Sequence, residues 1–229
     1  MRQASYAREV GDQTAIEPRT RAERRERATA DTRSRILDAA RDCLLADGYA
    51  SLSTRHVAEV AEVPLSQIHY HFGSKQRLIL AVLEAENDRL LARQRAMFGG
   101  PEPLWQQWDR ACDFLDEDLA SGYVRILQEM IAAGWSDAEV ASAVRQYVIG
   151  WQRLLTEVAE REGHRLGWLG SFTSGEIAAL MSLPFLGAEE AILLGFEEDT
   201  LPARSALRKV GLLLKLIATD RDATGGGPG

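Results

Sequence analysis

Between Gly48 and Lys75 the sequence marks the stop or start of a helix five times. Gly48 follows Leu-Leu-Ala-Asp where a left-handed C-terminal residue is wanted, and Ser53 is placed to cap a new helix. Pro64 sits where a first helical turn tolerates a missing N–H; Gly73 closes that segment and Ser74 can cap the next. Helices between such marks have about two turns at most. One carries Val57, Ala58 and Ala61, the other Ile68 and Phe72, so each offers only a narrow apolar stripe. Neither can fold alone. They must pack on the flanking segments, where Ile36, Leu37, Ala40 and Leu44 recur at helical spacing up to about Asp47 and Lys75 to Phe98 reads as one long amphipathic helix.

The rest of the chain stays helical. Leu104 to Ser121 and Tyr123 to Gly134 are two helices split at Gly122, and Ser136 with Glu139 forms a capping box that opens a long helix to about Glu162. Thr173 with Glu176 forms another box. Pro184 is expected to kink or break the helix that follows, and Pro202 to start the last one. No strand alternation or internal repeat appears, so the expected class is all-α with about nine helices. The expected organisation is a flexible Arg-rich arm over 1–30, a three-helix helix-turn-helix domain over 31–80, a helical effector-binding and dimerisation domain over 81–220, and a disordered tail over 221–229.

Residues 1–77 hold 13 Lys+Arg against 11 Asp+Glu and residues 78–229 hold 14 against 23, so the halves carry +2 and −9. A small nucleic-acid module on a larger acidic body fits this asymmetry, because phosphates respond to local charge. Cys43 and Cys112 have no partners at short spacing and suit a reducing compartment. The longest uncharged apolar stretch, Ile177 to Ala188, falls well short of the roughly 20 residues of a membrane span, so a cytoplasmic location without membrane partners is expected.

The stretch Ile36 to Ile79, with its Ile-Leu-x-Ala-Ala opening, Gly48, the Val57-Ala58 pair, Val63 and the Phe72-x-Ser74-Lys75 ending, resembles the DNA-binding domain of TetR-family transcriptional regulators. The resemblance implies a helix-turn-helix whose second helix enters the major groove of an operator, a ligand cavity between the central helices, and a four-helix homodimer interface from the last two. Leu207, Leu213 and Leu214 suit that interface. Two positions depart from the family's usual residues: Glu62 stands where Gly is usual in the turn, and His69 where Tyr is usual.

Side-chain chemistry points to the same surface. Ser66, Gln67, His69, Tyr70 and His71 are short or flat polar groups able to meet base edges and phosphates. Ser53, Thr54 and Arg55, and Ser74 with Lys75, open helices whose free N–H groups suit phosphate. Arg33, with Arg35 and the arm, can reach the backbone or minor groove. His69 and His71 are two apart, about 200° round a helix, whereas a helical chelate needs three or four residues, so no metal is expected. No nucleophile elbow or phosphate loop occurs, so neither catalysis nor a cofactor is expected.

For the second domain, Trp105, Trp108, Phe114, Met130, Trp135, Tyr147, Trp151, Met181 and Phe185 are the candidate walls of a cavity for a small apolar or aromatic effector; Trp168 completes the five tryptophans. The leading expectation is a homodimeric regulator, a repressor that binds a palindromic operator and is released by a small molecule. The competing one is an all-α ligand-binding or scaffold protein without specific DNA binding.

Overall fold

A computed structural model of the chain describes residues 20–166 and 171–224. Trp168, most of the N-terminal arm and the Gly-rich end of the tail lie outside these residues. Among the described residues there are nine α-helices and no strand: α1 Arg21–Ser51, α2 Thr54–Val60, α3 Leu65–Phe72, α4 Lys75–Phe98, α5 Leu104–Ser121, α6 Tyr123–Gly134, α7 Ala138–Leu166, α8 Ser174–Leu193 and α9 Ala203–Thr224.

Helix α1 begins earlier than the expected arm boundary. Thr20 accepts from the Glu23 amide and the Glu23 carboxylate accepts from the Thr20 amide, a reciprocal cap that starts the helix at Arg21 and makes 21–30 helical rather than flexible. Gly48 takes the left-handed turn the sequence implies, with φ 77°, and one further turn runs on to Ser51. The α7 cap is Asp137, one residue after Ser136: its Oδ1 accepts from the amides of Glu139 and Val140 at 2.9 and 3.1 Å. The Thr173–Glu176 box forms as read. Pro184 does not break α8, which runs through it. Pro184 and Leu180 both lie on the exposed face, so the carbonyl that loses its partner is one that water can reach. Helix α9 continues to Thr224, so 221–224 are helical and not tail.

Helices α1 to α3 and the first half of α4 share a core of Ile36, Ala40, Leu44, Val57, Ile68, Leu78 and Ile79. Each large aliphatic side chain removed from water there contributes about 1.5–3 kcal/mol, which is what holds two-turn helices in place. That core is continuous with a second one formed by α4 to α9. Helix α9 is fastened to α5 by the Trp108 indole N–H, which donates to the Leu207 carbonyl at 2.7 Å, and by Arg204 and Arg208 on Asp113 and Asp116. Leu207, expected in a dimer interface, is therefore buried inside the subunit. No helix among the described residues is long and apolar enough to cross a membrane.

Candidate functional site

Helices α2 and α3 meet through a tight turn whose one unusual backbone position is Glu62, the sole non-glycine with positive φ among the described residues, at 52°. The departure from Gly thus leaves the turn intact. Arg35 accounts for part of that: its guanidinium donates to the carbonyls of Ala61 at 2.5 Å and Glu62 at 3.2 Å, clamping the turn against α1. A side chain considered for DNA contact is committed to structure.

On α3, Ile68 and Phe72 are buried while Ser66, His69 and Tyr70 face outward, Tyr70 with 74% of its surface exposed. Gln67 is half-buried beside them. His71 turns inward: its Nε2 is shielded and has no hydrogen-bond partner, and its ring lies against Phe72 at 6.1 Å. It packs rather than presents a base-reading group. Ser53 occupies the cap position of α2 without bonding the helix, so its hydroxyl stays exposed, as does Arg55; Thr54 is half-buried. Ser74 caps α4 through the Arg77 amide. Lys75 donates to the Ala50 carbonyl at 3.1 Å and lies 5.6 Å from the Tyr49 ring centre, so it closes the end of α1. An ammonium has three N–H donors, and two remain for a phosphate. Arg33 stacks over Phe72 at 5.4 Å. With Arg21, Arg25 and Tyr70 it lines one groove, which brings the start of α1 beside the outer face of α3.

The second feature is a cavity enclosed by α4 to α8, with about 60 Å³ open to the centre of a water-sized sphere. Of the aromatic and Met candidates it collects Trp108, Phe114, Tyr147, Trp151, Met181 and Phe185. Met130 is fully buried elsewhere in the core, Trp105 sits outside the cavity beneath Lys215 at 4.6 Å, and Trp135 is 84% exposed at the end of α6. Sequence reading missed the polar members: Asn87, Gln94, Asp118, Tyr123 and Glu189. Glu189 is 8% exposed and accepts one hydrogen bond, from the Gln128 amide at 3.0 Å. Burial pushes its carboxyl up to about 7; the Gln128 bond opposes that rise and the Asp118 charge adds to it. Burial also raises Asp118, against the pull of Arg93, whose guanidinium bonds both its oxygens at 2.7 and 2.6 Å. Among the described residues no three His, Cys, Asp or Glu side chains form a metal-binding group.

Two helices belong to both features. Helix α4 gives Leu78, Ile79, Val82 and Leu83 to the first core and Asn87, Leu90, Gln94 and Phe98 to the cavity. Helix α6 gives Tyr123 and Leu127 to the cavity, while Arg125 donates to the Leu45 carbonyl and the Glu129 carboxylate holds the Tyr49 amide at 2.6 Å. An Arg125–Glu129 bridge of 3.0 Å ties these two contacts together.

Residues 36–82 match the family model described as bacterial regulatory proteins of the tetR family. The N-terminal domain belongs to the TetR family. Sequence likeness to a curated relative runs beyond that domain, and over most of the chain the likeness is one of fold. The HTH-type transcriptional regulator UidR of Escherichia coli (strain K12) is 28% identical over 120 residues, a match that spans 50% of this chain and only 57% of that relative's length. A TetR-family protein from Rhodococcus sp. superposes with a TM-score of 0.67 at 20% identity over 81% of this chain and 98% of its own. A protein from Saccharomonospora viridis, solved in complex with choline, gives 0.65 at 19% identity over 79% and 95%. The TetR-type architecture thus extends through the helical second domain.

Proposed function

We propose that the protein is a ligand-responsive transcriptional regulator that binds a palindromic operator as a homodimer and is released from it by a small molecule, which makes it a repressor. The observation that carries this reading is the double membership of α4 and α6: each is built into both the helix-turn-helix core or its edge and the wall of the cavity. A ligand that favours one placement of Tyr123 and Leu127 biases Arg125 and Glu129, and with them the end of α1. Two separations of the DNA-reading heads then differ in ligand affinity, and operator affinity falls by that difference. The choline held by the Saccharomonospora viridis neighbour supports reading the cavity as a small-molecule site.

On this reading the exposed face of α3 enters the major groove, with Gln67, Ser66, His69 and Tyr70 toward base edges and phosphates and Lys75, Ser74, Ser53, Thr54 and Arg55 on the backbone. His71 is withdrawn from the base-contacting set because it faces inward. The groove of Arg21, Arg25 and Arg33 extends the basic surface along α1. Dimerisation falls to α8 and α9, where Leu180, Leu183, Leu212 and Leu213 are 58–62% exposed. Apolar residues clustered at that exposure on two packed helices suit a second copy of the same face. Selection of bound sequences from random duplex DNA tests the proposal: a two-fold symmetric site is expected, and recovery of no preferred sequence would leave a helical ligand-binding protein without specific DNA binding.

A further inference from the structure

We propose that the cavity takes an organic cation, an ammonium group carrying alkyl or aryl substituents, with Glu189 as counter-charge and the rings of Trp108, Tyr123, Tyr147, Trp151 and Phe185 as walls. The proposal rests on the reading of this cavity as the effector site and names the chemistry it selects. A buried carboxylate that carries its charge is paired with a cation as a rule. Asp118 follows that rule through Arg93, which also reaches Glu117 at 3.1 Å. Glu189 has no such pair: its one bond is from the neutral Gln128 amide, and no Lys or Arg of the described residues bridges to it. The guanidinium nearest to hand is already committed to two carboxylates, so an anionic ligand would meet acidic oxygens without a free cation.

The walls argue the same way. Trp108 and Trp151 have their indole N–H groups tied back, to the Leu207 carbonyl at 2.7 Å and to Gln94 Oε1 at 2.8 Å, so what they add to the cavity is ring surface rather than donors. Phe185 sits between them, 5.3 Å from one ring centre and 6.2 Å from the other, at interplanar angles of 58° and 82°. All three rings line the same cavity, and aromatic surface attracts an ammonium group most strongly where water is excluded. A buried acid with no counter-ion inside an aromatic enclosure is a site whose missing partner is positive and poorly hydrated.

The test uses the whole 229-residue chain and two isosteric probes, phenyltrimethylammonium and its uncharged carbon analogue tert-butylbenzene, read by tryptophan fluorescence and calorimetry. The ammonium ion is expected to bind saturably and roughly tenfold or more tighter than the hydrocarbon. In Glu189→Gln most of that advantage is expected to be lost while tert-butylbenzene binds as before, which shows the cavity still formed. Equal binding of the two probes by the wild-type protein, binding of neither, or an advantage undiminished in Glu189→Gln overturns the proposal. Operator binding separates the two readings. If tert-butylbenzene alone binds and releases DNA, the effector site stands and its cation selectivity falls; if the ammonium ion binds through Glu189 yet leaves operator affinity unchanged, the cation site stands and the effector reading falls.

Discussion

Replacing Gly122 by Ala tests the joint between the DNA-binding domain and the cavity, because two separate costs meet at that residue. Gly122 has φ 79° and ψ 0°, and an L side chain in this left-handed conformation costs about 1–2 kcal/mol. A Cβ there would also lie 2.1 Å from Leu45 Cδ2 and 3.3 Å from its Cγ, so the Leu45 side chain on α1 must turn away, an overpacking cost of about 1–3 kcal/mol. The reduced entropy of the unfolded chain returns about 0.4–1 kcal/mol. The net destabilisation is then about 2–4 kcal/mol. Gly195 supplies the control, since it has the same φ of 79° with nothing within 4 Å of its Cβ position; Gly195→Ala carries the backbone cost alone and should lose only about 1 kcal/mol. Urea unfolding at unchanged m measures both. The double variant Gly122→Ala/Leu45→Ala should recover most of the steric part, seen as a coupling energy of about 1–3 kcal/mol in a double-mutant cycle. If Gly122→Ala and Gly195→Ala cost the same, or Leu45→Ala adds its full cost on top of Gly122→Ala, the close approach of α1 to the α5–α6 corner is refuted.

Four further outcomes are expected. Glu62→Gly should raise stability by up to about 1 kcal/mol, since it relieves a left-handed L residue at the cost of a more flexible unfolded chain, and a loss in urea melts would mean the Glu62 side chain holds the turn. Lys75→Ala should weaken binding to all DNA sequences alike and lower the log–log salt slope by about one, whereas Gln67→Ala should keep the slope, cost about 1–3 kcal/mol on the selected operator and relax one position per half-site; exchanged phenotypes would mean α3 lies differently in the groove. If α8 and α9 form the proposed dimer interface, Leu183→Glu combined with Leu212→Glu should turn that dimer into a monomer in sedimentation, and an unchanged dimer mass would place the interface elsewhere. Glu189, held near 7 when folded against about 4.3 when unfolded, keeps its proton in the native state alone between those values, so it lowers stability as pH rises from 4.3 to 7 and no further above. Compared with Glu189→Gln, the wild type should lose up to about 4 kcal/mol across that window, and parallel stability curves would show the carboxyl to be ordinary.

The helix-turn-helix was legible because its signals are local. Gly48 and Gly73 both take φ 77°, Pro64 opens α3 and Ser74 caps α4, each decided by one residue's backbone chemistry. The misplaced features depend on neighbours or on alternatives one residue away. Ser136 and Asp137 are both good caps, and only the folded geometry selects Asp137. Pro184 is a breaker by intrinsic preference, yet on an outward face the lost bond costs little enough for packing to carry the helix through. Arg35 and Lys75 read as cations for DNA, but the carbonyls of Ala61, Glu62 and Ala50 come close to them only in the fold.

The cavity shows where periodicity stops. Helical spacing says that Trp108, Met130 and Phe185 face inward; it does not say whether inward means packed core, as for Met130, or a wall with space beside it, as for the other two. Charge placed on that same register carries more information. Two adjacent carboxylates such as Glu189 and Glu190 are usually both solvated. Yet Glu189 lies four residues after Phe185 and eight after Met181, and those intervals put it on the same face as both, while Glu190 falls outside that register and is exposed. A carboxylate that holds the core register of an apolar helix has to be either paired inside the protein or kept for something that arrives from outside. Gln128 is too weak a partner to be the first, so the second is where the function of the cavity is to be sought.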